Sequence, residues 1–274
     1  MARRATILKE QTAVADFAIA VDAGGFARGL GEISRLKTDY LIRGLADLGY
    51  QVINLCPNDL SNGAGAIKLL QEKHKVVFIS ASIQRKEDAK PVFPPYQIVA
   101  LKAKNKKAAL FDQLRIGFLG LTQGQVMLPS EIDEPDLVVA DPLLVAQKLV
   151  PELRKKCDLV VLLYHGDFKT VEQIMQVPGI DAILIGGGYL QAKAKQKEQS
   201  GVPLAAALSM GKYQNIFKLN LNKDKSVQSV ERQQIALNES VTSDPAFVRL
   251  AEDFEKAAEQ LTNRILQKKF PSGK

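Results

Sequence analysis

Short apolar runs alternate with longer segments whose apolar residues recur at helical spacing. The runs at residues 17–22, 51–55, 76–80, 96–102, 115–121, 158–163 and 181–185 read as strands. They are nearly continuous rather than alternating, the pattern of strands buried on both faces of a parallel sheet. Helical spacing predicts helices over 2–13, 33–48, about 64–73, 141–156, 171–177 and 245–267. In the second of these, Leu36, Tyr40, Leu41, Leu45 and Leu48 share one side. Gly49 is placed to cap that helix, and Pro142 fits the first turn of a later one. After residue 201, segments 202–208, 215–221 and 227–236 read as three successive strands of an antiparallel meander. Strand–helix alternation over most of the chain predicts an α/β fold with largely parallel pairing.

The chain has 274 residues, enough for one large domain with a well-buried core. The reading places one domain at 1–237, with 238–274 as a C-terminal helix and tail on or extending from it. No stretch approaches the ~20 apolar residues that span a bilayer. The opening residues are basic but lack an apolar core after them, so they do not read as a secretory signal, and the compartment stays open. Cys56 and Cys157 form no zinc pattern and read as two unpaired thiols. The net charge of +7 draws on Lys102, Lys104, Lys106 and Lys107, and on Lys193, Lys195 and Lys197. Two solvated faces explain both runs, and an anion-binding patch is the sharper alternative. Aromatic residues are sparse and none interleaves the lysines, which argues against nucleic-acid binding by base stacking.

In open α/β sheets, ligand sites lie beyond the carboxyl ends of the strands. Four strand ends here carry distinctive loops: Asp22-Ala-Gly24-Gly25, Cys56-Pro57-Asn58-Asp59, His165-Gly-Asp167 and Gly186-Gly187-Gly188. Asp22, Asn58, Asp59, His165 and Asp167 are therefore the candidate cleft residues. Gly24, Gly25 and the three glycines from Gly186 are candidates for backbone contacts to a ligand. Each has a plainer structural reading. Asp22, Asn58 and Asp59 suit loop-fixing hydrogen bonds, and His165 suits a strand-end side chain bonded to a neighbour. Adjacent residues seldom face each other, so His165 and Asp167 do not read as a catalytic dyad.

The order of these pieces resembles the 5′-nucleotidase branch of the calcineurin-like metallophosphoesterases, an α/β/β/α sandwich with two mixed sheets. Val21-Asp-Ala-Gly24 resembles that family's "DAGD" strand end, and residues 49–63 resemble "GYDA…GNHEFDYG". Residues 115–122, 158–166 and 179–186 resemble its "kiGviGlt", "cDlvVlLsHlG" and "giDvIlgG" segments. The resemblance implies a pair of divalent metal ions held by carboxylate, amide and imidazole donors. Only one of those positions keeps its residue, His165. The bridging Asp falls on Gly25, the ligand Asn on Pro57 and the general-acid His on Asn58. Two further His positions fall on Gly187 and Tyr189. The family's first strand, with its Asp-x-His ligands, has no counterpart before residue 2. The resemblance thus implies a catalytically degenerate member, without metal, that binds a partner protein or a small anionic ligand. The alternative is an active phosphoesterase whose ligands are shifted or supplied from upstream. Without that strand the sheet should also present an unpaired edge, open to a partner chain or an oligomer contact. The relatives are mostly exported.

Overall fold

The computed structural model describes residues 1–27, 29–104, 109–128, 132–187, 202–206 and 211–269. Helix α1 (Ala2–Val14) precedes a parallel β–α–β–α–β unit: β1 (Ala20–Asp22), α2 (Glu32–Asp47), β2 (Tyr50–Asn54), α3 (Ala64–His74) and β3 (Val77–Ile79). These strands form one sheet in the order β1-β2-β3. A short pair follows, β4 (Ile83–Arg85) with the later β7 (Leu137–Val139). Between them run β5 (Tyr96–Lys102) and β6 (Gln113–Thr122). Then come α4 (Pro142–Arg154), β8 (Leu159–His165), α5 (Phe168–Ile174), β9 (Ala182–Gly186) and β10 (Leu204–Ala206). The second sheet has the order β10-β9-β8-β6-β5 and is parallel except for β5. The hairpin of β11 (Tyr213–Leu221) and β12 (Val227–Ala236) and the long helix α6 (Pro245–Lys269) complete the chain.

Strand periodicity explains the layering. Along β8, Leu159, Val161 and Leu163 pack with Val52, Ile79, Ile116 and Phe118 between the two sheets. The intervening Val160, Leu162 and Tyr164 face the other way, onto Ala146, Val150 and Leu153 of α4 and Phe168 and Val171 of α5. The outer face of the three-stranded sheet is covered by Ile42 and Leu45 of α2 and Ile67 of α3. Two sheets with helices outside them make the expected α/β/β/α sandwich. Helix α6 packs Phe247 and Leu250 on Ala5 of α1, and Phe254 stacks edge-on against Tyr40 of α2.

Most element ends follow from local chemistry. Gly49 takes φ +79° and donates its N–H to Ala46, closing α2 as its position predicts. Asp141 caps α4 by accepting from the N–H groups of Leu143 and Leu144, with Pro142 in the first turn. Asp141→Ala should therefore cost about 1 kcal/mol in urea denaturation.

One expectation needs correction, and one strand pair went unpredicted. The predicted three-strand meander does not form: β10 lies parallel beside β9 in the large sheet, and only β11 and β12 pair antiparallel. The run Leu204-Ala-Ala206 is continuously apolar, which suits a parallel strand rather than a half-exposed hairpin strand. The β4–β7 pair escaped the sequence reading because each partner has three residues, too few to show a period. Lys102 ends β5 and is exposed, and the Nζ of Lys104 donates to the Thr12 carbonyl. Lys106, Lys107, Lys193, Lys195 and Lys197 lie outside the described residues.

Candidate functional site

The four loops meet: His165 lies against the loops that follow β1 and β9, and the turn at residues 56–59 joins them through Asp59 and Gly25. A Cβ built on Gly25 would lie 2.7 Å from His165 Nε2. One on Gly186 would lie 2.9 Å from Cδ2 and 3.1 Å from the Ala23 carbonyl, and one on Gly187 would lie 3.6 Å from Nε2. The imidazole thus fills space that side chains at positions 25 and 186 would need. Gly25 and Gly187 also have φ of +85° and +95°, a region that L side chains adopt at a cost. Gly188 and Tyr189 lie outside the described residues.

Asp59 is fully buried behind this contact. Its Oδ2 accepts from the N–H groups of Gly25 and Cys56, both at 2.9 Å, and Oδ1 accepts from Ala27 at 2.8 Å. Asp59 sits in the 3-10 turn Pro57–Leu60 and ties it to the loop that follows β1. Burial pushes its carboxyl up to about 6, against the three N–H donors that favour the ion. Asp22, the last residue of β1, accepts from the Gly24 N–H at 2.8 Å. Burial raises its pKa, while the Gly24 N–H and the nearby Arg4 oppose that rise.

Asp167 does not share the cleft chemistry. Its carboxylate caps α5 through the Thr170 N–H, which holds its pKa low. Its own N–H donates to Gln123 Oε1, which also accepts the Tyr164 hydroxyl. Asn58 is exposed and, with Gly29, Pro57, Ser61, Gln125 and Met127, lines a shallow cavity of about 290 Å³. Both thiols are free, with Cys56 buried and Cys157 partly so. Among the described residues no three His, Cys, Asp or Glu side chains converge to hold a metal ion. Among those residues, too, no helix is long and apolar enough to cross a membrane.

Two positioning residues went unnoticed in the sequence. Asn54 Nδ2 donates to the carbonyls of Ala23 and Leu121, joining the β1 loop to the end of β6. Gly120 leaves room for it: a Cβ there would lie 2.5 Å from Asn54 Oδ1. Gln123 holds the turn after β8. The one available signal was an asparagine inside the apolar run Val52-Ile-Asn-Leu55, since a buried strand rarely carries an amide without a partner.

No protein-family model matches the chain. It is 26% identical over 256 residues to a 2',3'-cyclic-nucleotide 2'-phosphodiesterase/3'-nucleotidase of Yersinia enterocolitica, covering 82% of this chain and 39% of the relative. It is 23% identical over 300 residues to a 5'-nucleotidase of Vibrio cholerae, covering 89% of this chain and 51% of the relative. The chain therefore spans about half the length of these relatives, or less. Among solved structures, the calcineurin-like phosphoesterase YfkN from Bacillus subtilis superposes with a TM-score of 0.78 at 17% identity, covering 96% of this chain and 90% of that one. A 5'-nucleotidase precursor from Thermus thermophilus gives 0.73 at 19% identity, covering 97% of this chain and 54% of that one. The chain has the fold of the calcineurin-like phosphoesterases and is similar in sequence to bacterial nucleotidases.

Proposed function

We propose that this chain is a non-catalytic binding module that keeps a metallophosphoesterase scaffold. The observation that carries the proposal is the contact of His165 with Gly25. Where the resemblance places a bridging carboxylate there is no side chain, and the imidazole fills the hollow. The surrounding donors are committed elsewhere. Asp59 points both oxygens at backbone N–H groups, and Asp22 accepts from Gly24. Pro57 and Gly187 offer no donor side chain. These residues do not fit a pair of divalent ions, which need several oxygen or imidazole donors around a common point. Metal-dependent phosphoesterases derive much of their rate from charge stabilisation and from metal-activated water. A chain without the ions keeps the cleft and loses the reaction. The cleft then serves a partner protein or a small anionic ligand, with the cavity beside Pro57 and Asn58 as the available opening.

A second reading, an active phosphoesterase with non-standard ligands, is favoured by the names of the relatives. Turnover of bis(p-nitrophenyl) phosphate with added Mn²⁺ separates the two. The binding-module reading predicts no turnover above the buffer blank, and the same blank for His165→Ala. Turnover that His165→Ala abolishes would establish the second reading.

A further inference from the structure

The cavity beside Pro57 opens where three strands end. Gly29 comes from the loop after β1, Pro57, Asn58 and Ser61 from the turn after β2, and Gln125 and Met127 from the loop after β6. Gly124, at φ +114°, brings that last loop against the turn, and a Cβ built on it would lie 3.5 Å from Pro57 Cγ. The carboxyl ends of strands are where open α/β sheets bind their ligands. At about 290 Å³ the hollow is at the small end of ligand pockets.

Its polar groups fall into two sets. The Gly29 carbonyl is already occupied, accepting from the hydroxyls of Ser34 and Ser61 at 2.9 and 3.2 Å. The side-chain amides of Asn58 and Gln125 make no hydrogen bond to any described residue. Each offers both a donor and an acceptor. Beside them stands Met127, at 80% the most exposed large apolar side chain among the described residues. A thioether side chain adapts its shape to irregular apolar groups. Among the described residues no charged side chain lines the hollow. The charges near it are of both signs and already engaged: Arg35 donates to Asn62, and Glu134 accepts from the N–H groups of Ala64 and Gly65. An anion entering here would lose water without meeting a cation among these residues. Another amide would find a matched partner, its N–H facing a side-chain carbonyl and its C=O facing an NH₂ group.

We propose that the cavity takes an uncharged amide carrying a small branched apolar substituent, the amide on Asn58 and Gln125 and the substituent on Met127. The inference rests on the binding-module reading and narrows its occupant from an anion to an amide, which the peptide chain of a partner protein also supplies. The test follows the backbone amide resonances of the whole chain during titration with isovaleramide and with N-acetyl-leucine methylamide. Isovalerate and inorganic phosphate serve as the anionic counterparts. Both amides should shift resonances at residues 57–61 and 124–127, with dissociation constants in the millimolar range that suits so few atoms. The two anions should bind at least tenfold more weakly. Asn58 and Gln125 are exposed, so Asn58→Leu combined with Gln125→Met removes both amides without touching the core. That double variant should bind either amide at least tenfold more weakly.

Tighter binding of N-acetyl-leucine methylamide would support the proposal with a peptide as the source. Equal or tighter binding of isovaleramide would support it with a free small molecule as the source. Three results would overturn it: no shift at these residues with either amide at about 100 mM, binding of isovalerate or phosphate as tight as that of the amides, or unchanged amide binding in the double variant. Absence of amide binding together with absence of phosphodiester turnover overturns this inference alone. Turnover of bis(p-nitrophenyl) phosphate overturns the binding-module reading beneath it.

Discussion

Asp59→Ala should destabilise the chain by about 4 kcal/mol in urea denaturation, through three N–H donors, two in buried bonds and one part-buried, that lose a charged acceptor. Gly25, Ala27 and Cys56 all donate to this one carboxylate. Two of them belong to the loop after β1 and one to the turn after β2. The substitution should therefore loosen the candidate cleft before the rest of the domain, visible as faster amide exchange at residues 23–27 and 56–61. The pH dependence follows from the raised pKa. The folded state keeps a proton on Asp59 up to about pH 6, whereas the unfolded chain releases it near 3.8. Between these values the folded state binds more protons, so stability falls as pH rises. The contribution of this group is fully present below about 3.8 and is lost as pH rises through about 6. Asp59→Asn cannot titrate, and its denaturation midpoint should lose that component across pH 4–7. An unchanged pH profile in Asp59→Asn would show that another group carries it.

Gly25→Asp should cost about 3 kcal/mol rather than restore a metal ligand. Roughly 1–2 kcal/mol comes from placing a side chain at φ +85°, and the rest from the overlap of its Cβ with His165. Combining it with His165→Ala removes the overlap and leaves the backbone cost. The double mutant should show a favourable coupling of about 1–2 kcal/mol, measured by a denaturation cycle. A single-mutant cost below about 1 kcal/mol would mean that the imidazole moves aside freely and the hollow still admits a ligand.

The sandwich itself was readable because its strands are long apolar runs and its helices carry clear periodicity. The run from Leu159 to Leu163 and the stripe of α2 from Leu36 to Leu48 leave little choice of element. The ends of elements followed where a residue has special backbone chemistry, as at Gly49 and Pro142. The strands that escaped, β4 and β7, are too short to show a pattern, and the position of β10 depended on which neighbour it pairs with. At the candidate site, the convergence of four loops followed from the placement of strand carboxyl ends. What the side chains do there did not. Asp59 reads in sequence as a local turn residue, but two of its three donors lie more than thirty residues away. The approach of His165 to Gly25 joins positions 140 apart, and no local spacing encodes it. Asp167 reads in sequence as a cleft candidate, and its carboxylate instead caps α5.

Whether donors or glycines surround His165 decides between a binding module and a phosphoesterase. The most direct measurement is elemental analysis of the purified chain after incubation with Mn²⁺ and Zn²⁺ and removal of free metal. A binding module should retain well below one ion per chain. A stoichiometric pair of ions retained by the folded protein, and lost in His165→Ala, would contradict that reading.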